Sequence, residues 1–93
     1  MKPSEFIKKG WSRGFSARDA EGNEVSPVDA KAASWDIEGA LRAAYPTDAE
    51  QQKAARDKIK AAICARPGLL IAYNDVHWMS AELIIEILNE VNE

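Results

Sequence analysis

At 93 residues, with 12 lysines and arginines against 15 aspartates and glutamates and a formal charge of -3, the chain has room for one domain with a single core and none for a spacious second pocket. The slight acidic excess argues against a direct nucleic-acid binder, which usually carries a basic excess on one face, and no apolar run approaches the roughly 20 residues that span a bilayer. Cys64 is the only cysteine, and Lys8 and Lys9 interrupt the amino terminus before the apolar stretch of a signal peptide could form; both observations favour a reducing, cytoplasmic setting without disulfides.

Pro3 to Lys9 reads as a short helix. Pro3 and Ser4 suit its first turn, Gly10 suits a left-handed position that ends it, and Phe6, Ile7 and Trp11 would dock it. From Trp11 to Val25 the character changes, with Gly14, Gly22 and the cluster Asp19-Ala-Glu-Gly-Asn23 between short alternating flanks. That pattern predicts a small hairpin or an ordered loop. Two strands alone are marginal, so Phe15, Ala17 and Val25 are expected to lean on the helices.

The stretch from Ser26 to Tyr45 is the one the rest is expected to surround. On a helical wheel Val28, Ala32, Trp35, Gly39 and Ala43 form one apolar face and Ala33, Ile37, Ala40, Leu41 and Ala44 a second beside it, which predicts a central helix starting at Pro27 or nearer Asp29. Glu38 and Arg42 stand four apart in the favourable order, worth a few tenths of a kcal/mol. Gly39 costs about 1 kcal/mol relative to alanine inside a helix, so another element is expected to pack close there. Asp36 falls between the two apolar faces and, if buried, needs a cationic or amide partner; Arg18 or Arg13 is the candidate, because the 11–25 loop must lie over this helix.

Pro46 stops the helix, and Thr47-Asp-Ala-Glu50 reads as a capping box for a third helix running to about Ala65, before Pro67-Gly68, with Gln52, Ala55, Ile59, Ala62 and Ile63 inward. Leu69 to Tyr73 reads as an apolar connector whose type, strand or helix, stays open; Asn74-Asp75 reads as a turn. Ser80 caps a final helix with Ile84, Ile87, Leu88 and Val91 as its inward stripe. The expected fold is mostly α: one domain over residues 1–93, a small bundle of three main helices plus the short amino-terminal one, with the hairpin or loop at about 11–25.

Catalytic constellations are sparse. His77 is the only histidine and has no metal partner at a ligand spacing; Gly10, Gly14 and Gly22 match neither a dinucleotide fingerprint nor a P-loop; Asp19, Glu21 and Glu24 lack the spacing of a calcium loop. No metal and no cofactor is therefore expected. A thiolate nucleophile from Cys64 with His77 and Asp75 is the alternative, enzymatic reading, weighed against the inertness of a thiol among alanine and isoleucine.

Charge distribution says more. From Pro67 onward there is no lysine or arginine, yet Asp75, Glu82, Glu86, Glu90 and Glu93 are all present. The glutamates fall on one helical stripe, and like charges at that spacing repel by roughly 0.2–0.5 kcal/mol per pair unless matched. Lys53, Arg56 and Lys60 on the third helix, the lysines of the amino terminus, or a basic partner could match them; a solvated face is the plain alternative. Three tryptophans are many for so short a chain: Trp35 and Trp11 read as core, whereas Trp78, in Val-His-Trp-Met, either covers the core or faces a partner.

Gly10-Trp11, Ala17-Arg-Asp-Ala-Glu-Gly22 with Val25, Ser34-Trp-Asp-Ile-Glu-Gly-Ala-Leu41, and Tyr73-Asn-Asp75 before Ser80 together resemble a family of small bacterial and phage proteins of unknown function. The chain departs from that pattern at Asp36, where the family usually shows cysteine, and at Tyr73, where it usually shows tryptophan. The resemblance carries over no catalytic residue. It implies that the turn, the central helix and the Asn-Asp turn form one unit, with Arg18, Asp19, Asn74 and Asp75 as internal polar ties.

The expected function is that of a non-enzymatic protein-binding protein, with an acidic and aromatic surface made of His77, Trp78, Met79, Glu82, Glu86 and Glu90. The expected partner is a protein with a basic surface, in one version a host defence complex inhibited by a phage or mobile-element product of the anti-CRISPR kind; the phage connection comes from the resemblance alone. Neither membrane nor direct nucleic-acid binding is expected, and the oligomeric state is left open.

Overall fold

The computed structural model describes residues 1–62, 74, 75 and 79–93. Among them are four helices, α1 (Pro3–Lys9), α2 (Ile37–Ala44), α3 (Ala49–Ala62) and α4 (Ala81–Glu90), and two short antiparallel strands, β1 (Ala17–Arg18) and β2 (Ser34–Trp35); Asn74 and Asp75, expected as a turn, are helical instead. The mostly α expectation holds. The connector at 69–73 and the ends predicted beyond Ala62 lie outside the described residues.

α1 begins at Pro3, whose missing N–H costs nothing at a first helical position, and Glu5 reaches back to the Lys2 amide at 2.8 Å. Although the shortest of these four, it packs on α2, α4 and β2, while α3 packs against α2 and α4. Ile7, Trp35, Ile37, Leu41, Ile59, Ile84 and Leu88 fill the space between them, and Phe6 meets Trp35 edge to face at 5.0 Å.

The predicted central helix is half as long as expected. Residues 26–33 instead make successive turns, because Ser26 Oγ takes the Val28 amide and Asp29 Oδ1 the Lys31 amide, while the Ser26 and Asp29 carbonyls take Asp29 and Ala32. Serine and aspartate side chains offered the backbone a local alternative to the helix. Val28, expected on the buried face, is 60% exposed. Ser34–Trp35 then pairs with Ala17–Arg18, and the helix starts only after Asp36.

The Asp19–Asn23 turn forms. Asp19 Oδ1 accepts the amides of Glu21 and Asn23, Gly22 adopts φ +86°, and Val25 donates to the Ala17 carbonyl. β1 thus has the returning 24–25 segment on one side and β2 on the other, and Gly10–Ser12 adds to the outer side of β2 through Trp35 N–H to Gly10 O and Ser12 N–H to Trp35 O. Phe15 does not lean on the helices: it is 40% exposed, with the Arg18 guanidinium 4.4 Å above its ring.

Two further expectations are corrected. Gly10 is extended, not left-handed; glycine is needed because a Cβ there would fall on the Ala33 carbonyl oxygen. α3 is capped by Asp48, which accepts the Gln51 amide at 3.0 Å, rather than by Thr47. α4 follows its prediction: Ser80 accepts the Leu83 amide, Ile84 and Leu88 are buried, and Ile87 and Val91 half-buried.

Candidate functional site

With 3.6 residues per turn, side chains four apart share a helix face about 6 Å apart along the axis. Glu82, Glu86 and Glu90 form such a row on α4, all exposed, and Leu83 stands beside them 40% exposed. None of the three has an ion-pair partner among the described residues. Of the α3 cations that could have matched them, Lys53 and Arg56 pair elsewhere, as does Lys58, and Lys60 forms no ion pair with them. Arg56 forms a two-pronged bond to Glu38 of α2, at 2.7 and 2.9 Å, Lys53 pairs with Asp57 on its own helix at 2.9 Å, and Lys58 pairs with Glu93. The Arg56 pair is partly shielded and two-pronged, so it ties α3 to α2; the exposed Lys53 pair contributes little.

Glu93 leaves the stripe on which the periodicity puts it. α4 ends in a Schellman-type turn: Asn92 adopts φ 64°, its N–H bonds to the Asn89 carbonyl, and the Glu93 N–H reaches Leu88 O at 2.7 Å. This folds Glu93 inward to 4% exposure, where its carboxylate takes the Tyr45 hydroxyl at 2.6 Å as well as Lys58, and its carbonyl takes the Ser4 amide. Burial first, and then the hydrogen bond and charge of Glu93, push the Tyr45 phenol up to about 12. Tyr45→Phe removes a hydrogen bond to a charged group, and a loss of about 1.5–3 kcal/mol in urea unfolding is expected.

Of the other residues expected at this surface, Met79 is a core residue, 4% exposed, and its carbonyl accepts Arg13 Nη2 at 2.7 Å. It offers a partner nothing to grip. His77 and Trp78 lie outside the described residues, as does Cys64. The apolar contact point that the structure does show, Leu83, was missed: it sits off the inward stripe, and only its exposure singles it out.

A second cluster joins the 10–18 loop, the start of α2 and residues 74–75. Asn74 is fully buried; its Oδ1 accepts Trp11 Nε1 at 2.9 Å and the Ile37 amide at 3.2 Å, and its Nδ2 donates to Ser12 O at 3.2 Å and Asp75 Oδ1 at 2.7 Å. Asp75 also accepts the Gly14 amide at 3.3 Å. Asp36, 3% exposed, caps α2 by accepting the Gly39 amide at 2.6 Å. The helix end supplies the partner expected from arginine, while Arg18 donates to the carbonyls of Gly22 and Arg13. Every polar atom named here has a backbone or amide partner, which is the chemistry of a joint.

A cleft of about 340 Å³ lies between α1, the 27–32 turns and α2, lined by Phe6, Val28, Ala32, Trp35 and Ala43 with Lys9 and Asp29 among its polar residues. Among the described residues no three histidine, cysteine or acidic side chains gather into a metal site, and no helix is long and apolar enough to cross a membrane. The chain matches no known family model, no curated protein and no solved structure.

Proposed function

We propose that this is a small non-enzymatic binding protein that docks a basic surface of another protein onto the outward face of α4. The observation that carries this reading is the row of Glu82, Glu86 and Glu90, exposed and without a cation among the described residues, beside the exposed Leu83. An apolar contact at the centre of an interface gives grip, and charges at its rim steer encounter. His77 and Trp78 precede this face in the chain and would extend it. In the version drawn from the family resemblance, the docked surface belongs to a host defence complex.

The test is capture of partners by the tagged protein from extract of its native host. Replacing Glu82, Glu86 and Glu90 together with glutamine is expected to lower capture and flatten its salt dependence, and Leu83→Ala to weaken it at every salt concentration. A partner captured equally by both variants, with circular dichroism unchanged, would move the binding surface to the loop from Arg13 to Glu24.

A further inference from the structure

The cleft between α1, the 27–32 turns and α2 has the charge that the outward face of α4 lacks. Phe6, Ala32, Trp35 and Ala43 make it apolar, and Val28, also lining it, is 60% exposed. Lys9 lines the cleft, Lys8 precedes it on the last turn of α1, and Lys31 lies between Ala30 and Ala32, two further lining residues. All three lysines are exposed, and none forms an ion pair among the described residues. Asp29 is the one acid among the described lining residues, and its Oδ1 accepts the Lys31 amide at 2.8 Å.

The chain therefore carries two patches of opposite sign, each built around apolar surface left in water. On α4, Glu82, Glu86 and Glu90 stand unmatched beside Leu83; at the cleft, Lys8, Lys9 and Lys31 stand unmatched around an apolar hollow. Within one molecule no ion pair joins the two sets among the described residues. Bringing the patches together removes apolar surface from water and sets each row of charge against its opposite.

We propose that the cleft receives the outward face of α4 from a second copy of this chain, with Leu83 entering it and the three glutamates facing Lys8, Lys9 and Lys31. This rests on the reading of α4 as a docking face and names its basic partner as a surface the chain itself carries. Two different patches on one chain can pair reciprocally, as a two-fold dimer, or head to tail, as an open chain. Rim charges make the association salt-sensitive, and the apolar contact gives a part that salt does not screen.

Sedimentation velocity of the purified full chain, at low salt and up to about 1 mM, should show a mass above the monomer that rises with concentration and falls as salt is added. Reversing either patch, as Glu82/Glu86/Glu90→Lys or as Lys8/Lys9/Lys31→Glu, should weaken self-association roughly tenfold or more. An equimolar mixture of the two reversed variants, each folded by circular dichroism, should associate again, because each then carries the charge the other needs. Val28→Asn changes the cleft at an exposed position outside any helix and should weaken association at every salt concentration. A parent chain that stays monomeric throughout overturns the self-docking, as does a mixture of reversed variants that fails to associate. The α4 reading fails by a different result: capture from host extract that ignores the glutamine triple variant.

Discussion

Asn74→Ala is expected to cost about 3–5 kcal/mol of folding stability. An asparagine side chain has two donors and one acceptor oxygen with two lone pairs, and at Asn74 all are in use within a site that is 0% exposed. Alanine would leave the Trp11 indole N–H, the Ile37 amide and the Ser12 carbonyl without that partner at a distance from water, each worth about 1–3 kcal/mol when unpaired. Leucine fills the space but leaves the same groups unsatisfied, and aspartate keeps the acceptor while adding a carboxylate beside Asp36 and Asp75. In urea unfolding the midpoint should fall with an unchanged slope. A loss under about 1 kcal/mol would mean that water or a shifted neighbour replaces these bonds at little cost.

Gly39→Ala should be nearly as damaging, against the ordinary rule that alanine stabilises a helix by about 1 kcal/mol relative to glycine. The added Cβ would fall on the Ser16 carbonyl oxygen, with the Ser16 carbonyl carbon only 2.8 Å away. That carbonyl cannot simply move aside, because it accepts the Asp36 amide and so fixes β1 against the start of α2. A cost of about 3 kcal/mol or more is expected, seen as a drop of roughly 12 °C or more in thermal midpoint. An unchanged or raised midpoint would show that the 10–18 loop yields freely.

Where a signal spans only one turn of chain, sequence and structure agree. Ser80 with Ile84 and Leu88 announces α4, Pro3 announces α1, and Asp19 with Gly22 announces the turn, since each depends on residues three or four apart. The row of Glu82, Glu86 and Glu90 is legible for the same reason. Residues 26–36 were misread because their apolar spacing fits a helix while Ser26, Asp29 and Asp36 favour turns and a cap, and the contest is decided by β1, far from them along the chain. Glu93 was misread because a left-handed Asn92 cancels the helical period before it.

By itself, then, the sequence determined a small acidic, mostly helical chain, the starts of α1 and α4, the Asp19–Asn23 turn and the acid on its last helix, all properties of composition and short-range periodicity. It also implied, through Gly39, that something must approach α2 closely. Only the tertiary structure decided that this is the Ser16 carbonyl, that α1 packs on α2, α4 and β2, and that Arg56 and Lys58 turn to Glu38 and Glu93 and leave the α4 glutamates unmatched among the described residues. Those outcomes depend on pairs 18 or more residues apart in sequence, whose meeting is set by how helices pack and which buried polar groups must find partners.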